Sequence, residues 1–337
     1  MNAMVLHKTA GVESLPLRLE KVDTPEPKED EVLVRVDKCG VCRTDLHVVE
    51  GDIPPTVSPV VLGHEIVGKI IRIGKNVRTL SEGDMVGIPW LHSTCGRCEY
   101  CLTSRENLCE NKTYAGYSVN GGYSQYASGK EGYVFRLRQN VDAAKTAPFL
   151  CAGIIGYRAL KLVLPRPGGT IGFFGFGGSA HLTLQLASKL GYETVAYSRN
   201  AAHLELAKEL GASETVLSDD DAVSNKPILD SAVVFAPVGA VVLQALKELK
   251  RGGSLSIAAI HMSETSSIDY DKYLFGERKI ISIEANTRSD AQEFLILADR
   301  LGLESKVTVV NMEQANKALV DLKSGKVKGA LVLDCTS

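Results

Sequence analysis

Eight cysteines stand in this chain of 337 residues, and their placement says more than their number. Cys95, Cys98, Cys101 and Cys109 fall close together as C-x2-C-x2-C-x7-C. Four thiolates on one short loop complete a tetrahedral shell with no position left for water or substrate, which is the structural kind of zinc site. Soft sulfur donors favour zinc or an iron–sulfur cluster over magnesium or calcium. Such a site fastens a loop and performs no chemistry. Cys39, Cys42, Cys151 and Cys335 are dispersed.

The stretch KCGVCRTDLH, Lys38 to His47, pairs two of these dispersed cysteines at C-x-x-C spacing. Such a pair could be half of a zinc knuckle, a redox dithiol, or a catalytic metal site that uses one cysteine only. Further along, His64 and Glu65 stand in GHE-x2-Gly68-x5-Gly74-x2-Val77, and Cys151 stands in PFLCAGIIGY. One imidazole and two thiolates, from His64, Cys42 and Cys151, hold zinc with its fourth position open, as catalytic zinc requires.

A second kind of chemistry resides in Gly175-Phe-Gly177-Gly178-Ser179-Ala180. It follows the apolar run TIGFF and opens the helical pattern HLTLQLASKL. A glycine-rich turn at a helix start lets backbone amides and the helix dipole meet a pyrophosphate. About 20 residues on, where an acid bonds the ribose hydroxyls of NAD, the chain has Ser198 followed by Arg199. A hydroxyl and a guanidinium suit a 2′-phosphate that a carboxylate would repel, so the expected cofactor is NADP(H) rather than NAD(H).

Two kinds of element must position these groups. To about Leu150, short alternating runs such as Glu31–Val36, Ile66–Ile73 and Met85–Ile88 stand between Gly and Pro signals and predict a β-rich domain. From about Pro167 strands alternate with helices: Thr170–Phe174, His181–Leu190, Glu193–Tyr197, Ala202–Leu210, Ser231–Phe235, Gly239–Leu249, Ser254–Ala258 and Lys279–Glu284. That rhythm predicts a parallel, doubly wound sheet. Helices over Ala291–Leu301 and Glu313–Ser324 and a strand over Ala330–Leu333 complete the chain. The expected domains are residues 1–151 with 287–337, which carry the metal sites, and 152–286, which bind the dinucleotide. A formal charge of −2 argues against nucleic acid as an obligate partner. No apolar run is long enough for a membrane span, and the first residues lack a signal pattern, so a cytoplasmic location is expected.

GVCRTDLH, GHEx2G, the four-cysteine loop, LCAG and GFGG come in the order of the zinc-dependent alcohol dehydrogenases of the medium-chain dehydrogenase/reductase superfamily, and the chain resembles that family over essentially its whole length. IPWLHSTCGRCEYCLTSRENLC is most similar to its bacterial and archaeal branch acting on primary alcohols. The resemblance implies an α/β fold, with a GroES-like catalytic domain beside a Rossmann domain, and two Zn2+ per chain. Cys42, His64 and Cys151 would hold the catalytic zinc, and Cys95, Cys98, Cys101 and Cys109 the structural one. Asp45 and Glu65 would be carboxylates behind the ligands, Asp45 orienting His64, while Cys39 would be a small buried side chain and no ligand. Thr44 would take the alcohol's proton and pass it, through the nicotinamide ribose, to His47 at the surface. Arg43 would contact the pyrophosphate, and Ile53, Trp90 and Tyr114 would line the substrate pocket. Ser179, Ile155 and Ala330 depart from the family pattern. A homodimer or homotetramer acting on a small alcohol or aldehyde is expected. A polyol or sugar dehydrogenase on the same scaffold and a non-enzymatic redox sensor using Cys39 and Cys42 are the competing readings.

Overall fold

The computed structural model describes residues 1–218 and 227–336. They divide into two compact units, one of residues 1–151, 285–295 and 304–336, the other of residues 152–218, 227–284 and 296–303.

In the first unit the strand Glu31–Val41 is the organising element. It pairs antiparallel with Ile66–Ile73, Tyr126–Lys130 and Ala330–Asp334. The sheet continues outward through Met85–Ile88 and Phe135–Arg136 on one side and Val307–Asn311 on the other. Val32, Val34, Val36, Ile66, Ile70, Val86 and Ile88 are buried in its core. Each such side chain contributes about 1.5–3 kcal/mol when taken from water. A second sheet, with Asn2–Leu6 between Leu17–Lys21 and Val60–Val61, adds Met4, Val5 and Leu6 to the same core. The strand runs to Val41, five residues past the expected Val36.

A six-stranded sheet makes up the second unit, in the order Glu214–Leu217, Glu193–Ser198, Thr170–Phe174, Leu229–Val234, Leu249–Ile257, Lys279–Ser282. Every pairing in it is parallel. The chain winds outward from the middle in both directions, so the order reverses between Thr170–Phe174 and Leu229–Val234. That is the Rossmann order, with its ligand-binding switch point at the carboxyl ends of those two strands. Ile171, Phe173, Ala232, Val233 and Val234 are fully buried, as a sheet covered on both faces requires. Among the described residues no helix is long and apolar enough to cross a membrane.

Candidate active site

Strand register brings the candidate metal-ligating residues together. Cys39 pairs with Ile66, and Gly40 N–H donates to the Glu65 carbonyl at 3.0 Å. Antiparallel continuation of that register sets His64 opposite Val41 and therefore next to Cys42. Gly40 has to lack a side chain: a Cβ there would lie 1.7 Å from Glu65 Oε2. Cys151 arrives by packing. It follows the short 3-10 turn Ala147–Leu150, and Leu150 is seated on Gly87, where a Cβ would stand 2.5 Å from Leu150 Cδ2.

The result is a cluster of Cys42, His64, Glu65 and Cys151 whose donor atoms all lie within 4.8 Å of one another. Cys42 Sγ and Cys151 Sγ are 3.7 Å apart. Two sulfurs bonded at about 2.3 Å to one tetrahedral zinc sit about 3.8 Å apart, whereas a disulfide holds them at about 2.05 Å. His64 is fully buried, and among the described residues neither ring nitrogen makes a well-aligned hydrogen bond: Nδ1 has a carboxylate contact at 3.1 Å and Nε2 has no partner. A sealed, unpartnered ring nitrogen beside two thiols fits a metal ligand and is costly otherwise. The thiol of Cys42 is held well below the usual range, first by the hydrogen bond shared with Cys151 and then by His64, against the effect of burial. That same bond, followed by burial, pushes Cys151 up.

Behind His64 stands Asp45, 1% exposed. Its Oδ1 lies 3.1 Å from His64 Nδ1 and accepts from Gly63 N–H at 3.2 Å. Its Oδ2 accepts from Cys42 N–H at 2.9 Å and from the Tyr123 hydroxyl at 3.0 Å. Asp45 is the third residue of the helix Arg43–Glu50 and closes a capping box with Cys42, so one carboxylate both starts the helix and steadies the imidazole. Burial works to lower the His64 pKa, but the Asp45 carboxylate and then Cys42 raise it well above the ordinary imidazole value. Asp45→Asn removes this charge, and an expected loss of about 10–100-fold in affinity for metal follows. Competition with a chromophoric chelator measures it; unchanged affinity would show that Asp45 serves the helix alone.

The remaining residues fall as follows. Thr44 is buried with Oγ1 3.7 Å from Cys42 Sγ. Trp90 meets the His64 ring edge-on at 4.7 Å and stacks on Tyr114 at 4.6 Å. Tyr117, which no motif marked, joins this aromatic group at 5.7 Å from Trp90. Ile53 is half-buried against the apolar core of the same unit. The exposed Arg43 guanidinium donates to the Leu322 carbonyl at 3.4 Å. Cys39 stands apart from the cluster. It is fully buried, and Cβ atoms built on Gly63 and Gly122 would meet its Sγ at 2.8 and 3.0 Å. His47 is 8% exposed, so it is not the surface residue expected of it: its helix packs that face inward. Tyr123 and Asp52 carried no signal in the sequence, because their partners are remote or depend on a turn.

In the four-cysteine loop, Cys95, Cys98, Cys101 and Cys109 also place their sulfurs within 4.8 Å of one another. Cys98 and Cys101 are 3.5 Å apart and Cys95 and Cys101 3.9 Å, far beyond a disulfide bond and close to the separation of two sulfurs on one tetrahedral zinc.

In the second unit Gly175 adopts φ 89, a conformation glycine takes at little cost, and its N–H donates to the Tyr197 carbonyl at 2.9 Å. The glycine turn therefore lies beside the end of the strand that carries Ser198. The helix Gly178–Lys189 has no side-chain cap at Gly177, and a Cβ on Gly177 would meet nothing within 4 Å. An uncapped helix start of this kind leaves its first amides without side-chain partners, as an anion-binding turn does. Ser198 is buried, with Oγ accepting from Asn200 N–H at 3.2 Å, and Arg199 is exposed.

The chain matches known proteins over both units. Residues 28–139 match the family model of the alcohol dehydrogenase GroES-like domain, and residues 178–300 that of zinc-binding dehydrogenases. A probable alcohol dehydrogenase, AdhA, of Mycobacterium tuberculosis (strain CDC 1551 / Oshkosh) is 42% identical over 99% of this chain and 97% of its own length. The chain belongs to the medium-chain dehydrogenase/reductase superfamily. Within its zinc-type alcohol dehydrogenases, one from Geobacillus stearothermophilus is 39% identical, over 97% of this chain and 99% of its own. The cobalt- and zinc-bound thermostable alcohol dehydrogenase of Pyrobaculum aerophilum superposes with a TM-score of 0.90 at 26% identity, covering 99% of each chain. At the level of the family, the activity is NAD(P)-dependent oxidoreduction of alcohols and aldehydes.

Proposed function

We propose that this protein is a zinc-dependent alcohol dehydrogenase and aldehyde reductase, transferring hydride reversibly between a primary alcohol or its aldehyde and NADP(H). Residues 1–151 with 287–337 act as the catalytic domain and 152–286 as the dinucleotide-binding domain. The observation that carries the reading is the cluster itself: two sulfurs at a zinc-like spacing, a buried imidazole with an unpartnered Nε2, and a carboxylate fixing the ring from behind.

When bound, zinc supplies Lewis acidity that makes a substrate alcohol easier to deprotonate, and the dinucleotide supplies the hydride partner. Cys42, His64 and Cys151 would hold the metal, with Glu65 as a further donor in reach. Asp45 holds the His64 ring in the tautomer whose other nitrogen is free to ligate. Thr44 Oγ1 takes the hydroxyl proton, and His47 releases it. Trp90 and Tyr114 give the substrate side an apolar, aromatic wall that excludes water. Support for two ions per chain comes from the four-cysteine cluster, which has the closed shell of a structural site. Metal analysis together with NADPH oxidation over a panel of aldehydes and polyols tests the reading. Two zinc per chain with aldehyde turnover is expected; one zinc without turnover, or turnover of polyols alone, would sink it.

Ser198 and Arg199 support the NADP(H) assignment, since neither repels a 2′-phosphate. Hydrogen bonds to a charged group contribute about 1.5–3 kcal/mol. Arg199→Ala is therefore expected to lower kcat/KM for NADPH roughly 10–100-fold and to leave NADH little changed. Ser198→Asp should reverse the preference. Steady-state kinetics with both cofactors decides it: an unmoved NADPH/NADH ratio in both variants removes the assignment.

A further inference from the structure

Tyr123 is fully buried, and both its backbone and its ring are held in place. Its N–H donates to the Leu62 carbonyl at 2.9 Å, and its own carbonyl accepts Met4 N–H at 2.8 Å. The ring closes over Gly63, where a Cβ would meet Tyr123 Cδ1 at 2.4 Å, and Gly63 also sits at φ 94. Contact and conformation together demand glycine directly before His64. From this seat the Tyr123 hydroxyl donates to Asp45 Oδ2 at 3.0 Å. Cys42 N–H reaches the same oxygen at 2.9 Å, and Gly63 N–H reaches Oδ1 at 3.2 Å. The remaining side of Oδ1 faces His64 Nδ1 at 3.1 Å. Two of these donors are backbone amides of Cys42 and of the residue before His64. The third is a side chain from 78 positions away.

We propose that Tyr123 is a positioning residue for the zinc site: its hydroxyl fixes the rotation of the Asp45 carboxylate, so that one oxygen stays turned to His64. The inference rests on the zinc reading above. A carboxylate turns easily about its Cβ–Cγ bond, because that torsion has only broad wells. Two donors on Oδ2, one from the helix start and one from Tyr123, hold the turn in place. An ionised carboxylate accepts and cannot donate, so Oδ1 keeps the ring proton of His64 on Nδ1 and leaves Nε2 for the metal. Without the hydroxyl, Oδ2 keeps the Cys42 amide alone, and Asp45 is too deeply buried for water to replace the lost partner. The carboxylate is then free to turn, and His64 loses its fixed support.

Tyr123→Phe removes the hydroxyl and keeps the ring over Gly63. Wild type, Tyr123→Phe, Asp45→Asn and the double variant are each loaded with zinc and titrated with a chromophoric chelator. The four-cysteine site in the same chain is the internal reference. In Tyr123→Phe the site of Cys42, His64 and Cys151 should hold zinc about 10-fold less tightly, and the four-cysteine site should be unchanged. In Asp45→Asn the amide can turn either end to the hydroxyl, which no longer sets what faces His64. Adding Tyr123→Phe to that variant should therefore weaken zinc by less than about twofold. Equal affinity in wild type and Tyr123→Phe overturns the inference. So does the same loss in both backgrounds, or at both sites, since either makes Tyr123 a packing residue. A wild type that holds only one zinc overturns instead the zinc reading on which the inference stands.

Discussion

Cys42→Ser is expected to cost at least about 10³-fold in kcat/KM and one zinc per chain, while Cys39→Ala keeps both ions and most of the rate. The two cysteines are three residues apart and chemically alike, so the contrast tests where each side chain is placed. Cys42 belongs to the cluster with His64 and Cys151, and its Sγ is 3.7 Å from that of Cys151. A Lewis acid contributes several kcal/mol of charge stabilisation, and every 1.36 kcal/mol is a factor of ten in rate, which sets the scale of the loss. Cys39 Sγ instead fills the space over Gly63 and Gly122, and burial followed by the neighbouring Cys335 and Asp45 keeps its pKa well above that of an ordinary thiol. It is a neutral packing group, and trimming it to Ala leaves a small void costing about 1 kcal/mol of stability. Zinc by mass spectrometry and kinetics on both variants measure the difference. Equal damage in the two would revive the redox-dithiol reading.

The second large effect concerns stability. Cys109→Ser opens the closed sulfur shell at its buried member, which also accepts Cys95 N–H at 3.5 Å. The loop is tied down within its own unit by Glu106, 2% exposed, whose Oε1 accepts from Arg288 N–H at 2.8 Å and from Arg288 Nε at 3.2 Å. Loss of the proposed ion would therefore loosen the loop and its anchor together. Several kcal/mol are at stake, since binding energy at a structural zinc is folding energy. The expected variant holds one zinc per chain, unfolds well below the wild type, and still turns over before it unfolds. Thermal unfolding followed together with zinc release checks this. A Tm within about 2 °C of wild type would limit the loss to roughly 1 kcal/mol and remove the structural role.

Local chemistry was the legible part of this chain. The four-cysteine site was evident because its ligands come from one loop, and spacing alone keeps them close. The glycine turn was evident because strand, turn and helix are contiguous, and the strand–helix rhythm marked a parallel sheet whose order the structure then supplied. The catalytic cluster is different. Its candidate ligands at positions 42, 64 and 151 are joined by the pairing of Cys39 with Ile66 and by the seating of Leu150 on Gly87, neither of which sequence spacing encodes. A resemblance singled out those residues, and the fold brings their donor atoms within 4.8 Å of one another.

Residues that act through a partner were decided by tertiary structure alone. Tyr123 meets Asp45 across 78 positions, and Tyr117 joins Trp90 through the loop between them. Even the close pair His47 and Asp52 depends on a left-handed Gly51 that turns the chain back on its own helix. By itself, the sequence determined which groups could bind metal and phosphate, since that is a matter of side-chain type. Only the fold decided which of two neighbouring cysteines faces the site, because strand length and register, set by burial over the whole sheet, put Cys39 in the core and Cys42 just beyond the strand's end.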